Sequence, residues 1–430
     1  MKLPYGSSEL RFDVPEERLV GVLYPREVKA AMDPYSAIVR ALQNPIGGSN
    51  LATAAKKGCT VVIVTDDYTR PTPSGLICEP IIDQLNAMGI DDSHVTIVAG
   101  GGLHRPMTDR ETRDKFGRRL VDRVRIISHD AWDESQVEYL GKTSRGTPVW
   151  VNKTVLEADL RISVGMITAH FVSGYAAGPK TIFPGVSGYR TIFHNHGVVA
   201  ASTLAGIGIT NGNPCWEDMV EMVDFLDPIL AVNVVLNTRN ELVAAYHGDP
   251  VSAQKAGVDL YQRIYAFSLK EKADVVIASA NPMHSYLDQC LKTIVHTSMV
   301  VEDNGWRIVA SPCEELLGPK FLRELYYASL TPAWPSAEEY AKRMQSGHVK
   351  DIADAVGILK FLQTNNSGLT LVCDPSFDQD LTNLGFLHKR RVQEAIDEAM
   401  ARLGPKSKAL VIPYGAITHP LPEQDTVKQS

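Results

Sequence analysis

Three histidines and one lysine, His104, His170, Lys180 and His196, sit in or just after segments that read as strand ends and glycine-rich loops. The last three fall within one stretch, AHFVSGYAAGPKTIFPGVSGYRTIFHNH, from Ala169 to His196. Histidine is both the proton-moving side chain of neutral pH and the commonest metal ligand. A lysine in a glycine-rich loop is a natural covalent anchor for a carbonyl-type or thioacyl cofactor, its amine being reachable and nucleophilic. His194 and His196 lie two apart, which places them on one side of an extended segment. H-x-H alone is not a zinc site, which needs three or four donors at recognisable spacing.

Two further loops carry chemistry. TDDYTRPTP, residues 65–73, follows an apolar run. Its Arg70 could clamp a carboxylate with a planar fork, and Asp67 could orient that arginine or accept from a hydroxyl. The plain alternative is a polar turn shaped by its prolines. AGGGLHRPMTD, residues 99–109, places His104 after three adjacent glycines, with Arg105 behind it. Neither the G-x-G-x-x-G fingerprint nor a Walker loop is present. The small residues from Ser173 to Gly178, Gly174 and Gly178 among them, leave room for a bulky planar or phosphorylated group against the backbone. Gln289 and Lys292, three apart, share a helix face, where a solvated surface pair is the plain alternative.

The elements that must position these residues alternate strand and helix. TVVIVTD, HVTIVAGG, VRIISHD, LRISVGMIT, VNVVLNT and ELVAAYHGD are runs of the kind that parallel strands make when both faces are covered. GLICEPIIDQLNAMG between the first two has apolar residues at helical spacing and a closing glycine. The class is α/β, with two α/β domains of mainly parallel sheets. The expected boundaries are 1–265 for the first and 270–405 for the second, with the tail 406–430 returning to the first. DVVIASA, WRIVAS and GLTLVCD supply strands of the second domain, and HKRRVQEAIDEAMARLG reads as an amphipathic helix closed by Gly404.

Composition excludes some classes. The 430 residues are 44% hydrophobic and 22% charged, ordinary for a globular chain, and the net charge of -7 offers no nucleic-acid surface. The six cysteines form no C-x-x-C pair, which fits a reducing compartment. No apolar run is long enough to cross a bilayer, and no signal peptide is visible, so a cytoplasmic location is expected.

The segments D-x-x-R-P at 67–71, G-x-H-R-P-M-T at 102–108, H…GYAAGPK…PGVSGYRTI…NH at 170–196 and Q-x-x-K at 289–292 resemble the lactate racemase family, the nickel-dependent 2-hydroxyacid racemases and epimerases. The resemblance covers most of the chain and includes the opening YG…DVPEERLVGVLYP. It implies a nickel pincer nucleotide, a pyridinium-3-thioamide-5-thiocarboxylic acid mononucleotide carrying nickel. Lys180 would hold it covalently, His196 would be the protein's metal ligand, and Asp67, Gly174 and Gly178 would help bind it. His104 and His170 would act as acid and base on opposite faces of a small 2-hydroxycarboxylate. Arg70, Gln289 and Lys292 would contact substrate or the cofactor's polar groups.

The fold implied places the site in an interdomain cleft. Cofactor-biosynthesis proteins are the implied partners, and a host without that pathway is expected to yield apoprotein. Ala176, Ala177 and Pro179 depart from a loop often richer in Ser or Gly, and SPCEELLGPK, residues 311–320, departs from the lactate enzymes, leaving other hydroxyacids open. The rival readings are a 2-hydroxyacid dehydrogenase, which the missing dinucleotide fingerprint opposes, and a non-catalytic cofactor-binding protein.

Overall fold

The computed structural model describes residues 1–48, 50–315, 342, 367–383 and 386–422. The chain divides into two compact units, one of Glu27–Ile264 and one of Met1–Arg26 with Tyr265–Ser430. Both are α/β, each built on a six-stranded sheet. No described helix is long and apolar enough to cross a membrane.

In the unit Glu27–Ile264 the strands run, across the sheet, Leu242–Gly248, Ile229–Leu236, Leu160–Met166, Val61–Asp66, Val95–Gly100 and Arg125–Ser128. Numbered along the chain this is the doubly wound order 3-2-1-4-5-6 read from one edge. The strand Val61–Asp66 is fully apolar up to Val64, at most 2% exposed, because helices cover both faces of a central parallel strand. The helix Ser74–Ala87 buries Ile77, Ile81, Ile82 and Leu85. Gly89 ends it at φ +83°, donating to Asn86 O while Ile90 donates to Leu85 O, a Schellman closure.

ELVAAYHGD differs from the parallel strand expected. Leu242–Gly248 runs antiparallel to Ile229–Leu236. Only a tight turn separates them, with Asn237 N–H donating to Glu241 O at 3.0 Å and Asn240 at φ +60°. A link that short joins antiparallel neighbours, since a parallel crossover needs a dozen residues or more.

The second unit's sheet runs Leu387–Lys389, Gly368–Val372, Val301–Ala310, Ala273–Ser279, Ala409–Ile412 and Leu19–Val22, all parallel. Two expected boundaries are therefore corrected. Residues 1–26 do not belong with the first domain: Leu3 and Phe12 lie in one core with Val275, Ile277, Ile308 and Val411. Nor does the tail return to that domain, since Ala409–Ile412 pairs with Ala273–Ser279 on one side and Leu19–Val22 on the other. LVGV alternates half-buried and exposed residues, as an edge strand does, so it lacks the continuous apolar signal of its neighbours. Residues 423–430 of the tail, and all of 316–366 except Lys342, lie outside the described residues.

Candidate active site

Strand order positions the first histidine. In an open α/β sheet ligands gather beyond the carboxyl ends of the strands where the order reverses, here between Val61–Asp66 and Leu160–Met166. Asp67 follows the first of these strands and is buried. Its Oδ1 accepts from Thr69 N–H at 3.1 Å and Thr69 Oγ1 at 2.6 Å, and its Oδ2 accepts from His104 Nδ1 at 2.6 Å. Burial pushes this carboxyl up, but the charge and hydrogen bond of His104, with Arg70 and Thr69 behind them, outweigh it and hold Asp67 well below the usual carboxylate range. A Cβ on Gly101 would stand 2.6 Å from Asp67 Oδ2, so one of the three adjacent glycines makes room for this pair. With Nδ1–H committed to the carboxylate, neutral His104 presents a bare Nε2.

Neighbouring groups brace that loop. Arg105 forms a bidentate pair with Glu111 at 2.8 and 2.7 Å and lies 4.4 Å over the Tyr68 ring. Glu111 also closes the capping box of the helix Asp109–Phe116 with Thr108. The Arg105 hydrogen bond leads the causes that hold the Glu111 carboxyl down at about 2. Arg70 NH1 donates to Thr69 Oγ1 at 2.8 Å, placing this guanidinium beside the Asp67–His104 pair.

The second histidine follows the strand Leu160–Met166. Ala169–His170 and Gly174–Tyr175 pair as a small antiparallel hairpin. His170 is buried, and its Nδ1 accepts from Val172 N–H and Ser173 N–H, each at 3.3 Å. In its neutral form this ring therefore carries its proton on Nε2. Gly174, at φ +75°, has no room for a side chain, since its Cβ would meet Ile209 O at 2.1 Å. Gly178, at φ +55°, is pressed against Pro250 O and Gln254 in the same way, its N–H donating to Asn233 Oδ1 at 3.0 Å. Both glycines thus have a backbone reason to be glycine.

Gly178 turns the chain into the short helix Pro179–Ile182, which carries Lys180. Lys180 Nζ lies 2.8 Å from His196 Nε2. The His170 and His196 rings stand 6.0 Å apart between centroids. Lys180, His196 and His170 are thus brought together, while Asp67, Arg70 and His104 form a second group at adjacent strand ends.

His194 and His196 do not lie in an extended segment. Residues Phe193–Val198 form a π-helical turn, a widened turn often found at functional sites. The two rings consequently have different partners. His194 Nδ1 meets Thr147 Oγ1 at 2.8 Å, and burial pushes this imidazole down. His196 Nδ1 donates to Asn195 Oδ1 at 2.8 Å.

Sequence reasoning missed the residues behind them. Asn195 Nδ2 donates to Asp218 Oδ2 at 2.7 Å and Cys215 O at 3.1 Å, and Thr147 Oγ1 donates to Asp218 Oδ2 at 2.6 Å. Asp218 is fully buried in the helix Pro214–Val223, on the same face as Cys215 and Met222. An acid on an apolar helix face was the available signal.

Gln289 and Lys292 lie in the other unit, on the helix Leu287–Ser298. They are 1% and 3% exposed and Lys292 donates to Gln289, so they are a buried pair and not the solvated one that spacing alone allows.

Comparison with known proteins agrees with these motifs. Residues 5–208 match the family model of the lactate racemase N-terminal domain. The lactate racemase of Thermoanaerobacterium thermosaccharolyticum is 28% identical, covering 96% of this chain and 97% of that protein. The lactate racemase of Lactiplantibacillus plantarum is 27% identical, with 96% and 97% covered. The solved apoprotein structure of the T. thermosaccharolyticum lactate racemase superposes with a TM-score of 0.85 at 26% identity, covering 97% of this chain and 99% of that one. A Thermotoga maritima protein shares the fold at a TM-score of 0.70 and 15% identity, with 91% and 99% covered. Motifs, fold and nearly full-length likeness converge on the lactate racemases, whose N-terminal domain residues 5–208 match.

Proposed function

We propose that this chain is an isomerase that inverts the 2-carbon of a 2-hydroxycarboxylate, using a nickel pincer nucleotide anchored on Lys180. The full-length likeness to two lactate racemases supports racemase activity. The observation that carries the finer reading is the Lys180 Nζ–His196 Nε2 approach of 2.8 Å, which puts an amine directly beside an imidazole nitrogen.

These residues fit the group. Among the described residues no three His, Cys, Asp or Glu side chains are arranged to hold a metal ion. A single imidazole suits a metal whose other donors belong to an organic ligand. With Nδ1–H given to Asn195, His196 offers Nε2 as that ligand, and Lys180 offers the amine for the covalent link. Bound there, the group supplies a hydride acceptor, which spares the substrate a dianionic carbanion.

The chain's own residues handle the protons and the substrate's position. Asp67 orients His104 so that Nε2 can take the substrate hydroxyl's proton, as in other carboxylate–imidazole pairs. His170 is assigned the complementary role: protonated, it donates from Nε2, whereas its neutral tautomer with Nδ1 held by the Val172 and Ser173 amides has no lone pair there. Acting as base in its turn requires the Val172 and Ser173 amides to release Nδ1. Arg70, Gln289 and Lys292 are assigned to the polar groups of substrate or cofactor, and Asp67, Gly174 and Gly178 to the surroundings of the cofactor. A cytoplasmic location and assistance from cofactor-biosynthesis proteins belong to the same proposal.

The test is intact-mass and nickel analysis of protein made beside the cofactor pathway, followed by chiral chromatography of single-enantiomer hydroxyacids. The expected result is a Lys180 adduct with nickel and conversion of one enantiomer to the other. Turnover of soluble nicotinamide with a hydroxyacid, without inversion, would overturn the proposal in favour of a dehydrogenase.

A further inference from the structure

The geometry points to Asp218 as a positioning residue that sets the tautomers of both histidines in the H-N-H turn, through Asn195 for His196 and through Thr147 for His194. The inference rests on the reading of His196 as the metal ligand for its purpose, but not for its geometry.

The argument is one of donors and acceptors. An ionised carboxylate can only accept hydrogen bonds. Asp218 receives three: Thr143 Oγ1 at 2.6 Å on Oδ1, with Thr147 Oγ1 at 2.6 Å and Asn195 Nδ2 at 2.7 Å on Oδ2. It is 0% exposed, so water does not compete for these positions.

Each donor is committed in turn. The Asn195 amide group faces Asp218 and Cys215 O, so its Oδ1 faces the other way, accepting from Cys215 Sγ at 3.3 Å and from His196 Nδ1 at 2.8 Å. A ring that donates at Nδ1 keeps its lone pair on Nε2, the atom 2.8 Å from Lys180 Nζ. Thr147 has one hydroxyl proton and gives it to Asp218. Its oxygen therefore accepts from His194 Nδ1 at 2.8 Å, leaving the lone pair of that ring on Nε2 as well. One buried carboxylate thus dictates which nitrogen is bare on two imidazoles, and the outer partners of a metal-bound histidine commonly do this.

Asp218 also anchors, through Thr143, the turn between the antiparallel strands Val137–Lys142 and Pro148–Asn152, so loss of stability alone would not distinguish positioning from scaffolding. Cutting the two arms separately does. The experiment uses full-length apoprotein labelled with ¹⁵N-histidine, in which protonated and bare ring nitrogens give well-separated signals. In the unsubstituted chain, neutral His194 and His196 are both expected to carry the proton on Nδ1. Asn195→Leu should convert His196 to a tautomer mixture and leave His194 unchanged. Thr147→Val should do the reverse, and Asp218→Asn, where it folds, should disturb both.

A second readout is nickel retained per Lys180 adduct during dialysis against a chelator. Asn195→Leu is expected to weaken retention by about 10–100-fold. The inference is overturned if His196 carries its proton on Nε2 in the unsubstituted protein, if Asn195→Leu leaves its ring signals in place, or if nickel retention is unchanged. If no adduct ever forms beside the cofactor pathway, the proposed function falls, while the ring signals of the apoprotein still decide the role of Asp218.

Discussion

A carboxylate 2.6 Å from one ring nitrogen decides what His104 can do. Asp67→Asn keeps the size of the side chain but replaces a charge with an amide, so the tautomer of His104 is no longer fixed and its imidazolium loses a counter-charge. Racemisation is expected to fall by about 10²–10⁴-fold, the usual worth of positioned acid–base catalysis. The Lys180 adduct should still form, and intact mass checks this separately. Lys180→Ala is the converse case. It removes the only proposed covalent anchor, so the expected outcome is a folded protein with no adduct by intact mass. An adduct of unchanged mass on that variant would reassign the anchor.

His104 and His170 were legible as candidates because each follows a strand, and Lys180 because it ends a glycine loop, whereas His196 lies in a π-helical turn. Their supports were not, since Asp218 lies on a separate helix and meets Asn195 only in the folded chain.

At the level of elements, the positions of His170 and Lys180 depend on how tightly loops cross. Gly174 and Gly212 share φ +75°, but a Cβ on Gly174 would meet Ile209 O at 2.1 Å whereas nothing lies within 4 Å of one on Gly212. Ala at Gly212 meets only the left-handed backbone cost, about 1 kcal/mol. Ala at Gly174 adds a clash with backbone that cannot swing aside, for a total of at least about 3 kcal/mol. Thermal melts of the two variants check this, the expected result being a clearly lower Tm for Gly174→Ala. Equal melts would show that the loop yields.

Sequence periodicity reads such elements unevenly. Fully buried strands such as Val61–Asp66 announce themselves as apolar runs. The hairpin of Val137–Lys142 and Pro148–Asn152 was not read as strands, because VEYLGK and PVWVN mix exposed and buried residues without a clean period. The π-helical turn at Phe193–Val198 has no sequence period of its own, which is why HNH read as extended.

At the level of the whole molecule, buried imidazoles set a pH limit. Burial pushes His129 and His296 down to about 4 and His419 to about 3. In the unfolded chain each would titrate near ~6.5. As pH falls below that value the unfolded state binds protons that the folded state refuses, so stability falls down to the folded values and is fully present above about 6.5. Asp67 acts with the same sign in a lower window. Its carboxyl is depressed on folding, so its contribution is present above about 3.9 and lost only in stronger acid. Urea midpoints are expected to drop between pH 7 and pH 4, and a flat profile across that range would contradict the burial of neutral imidazoles.

The α/β class could be read from alternating strands and helices, but the assignment of the ends could not, because sheet membership of Leu19–Val22 is fixed by a partner far away in sequence. That pairing has a temporal consequence. Leu19–Val22 leaves the ribosome before Glu27–Ile264, yet Ala409–Ile412, its neighbour in the sheet, follows roughly 390 residues later. At ordinary translation speeds the interval is about 20–80 s. For that time an early edge segment waits without its mate while Glu27–Ile264 has already emerged whole, so nascent chains stalled late in the message should hold Glu27–Ile264 finished and the second unit incomplete.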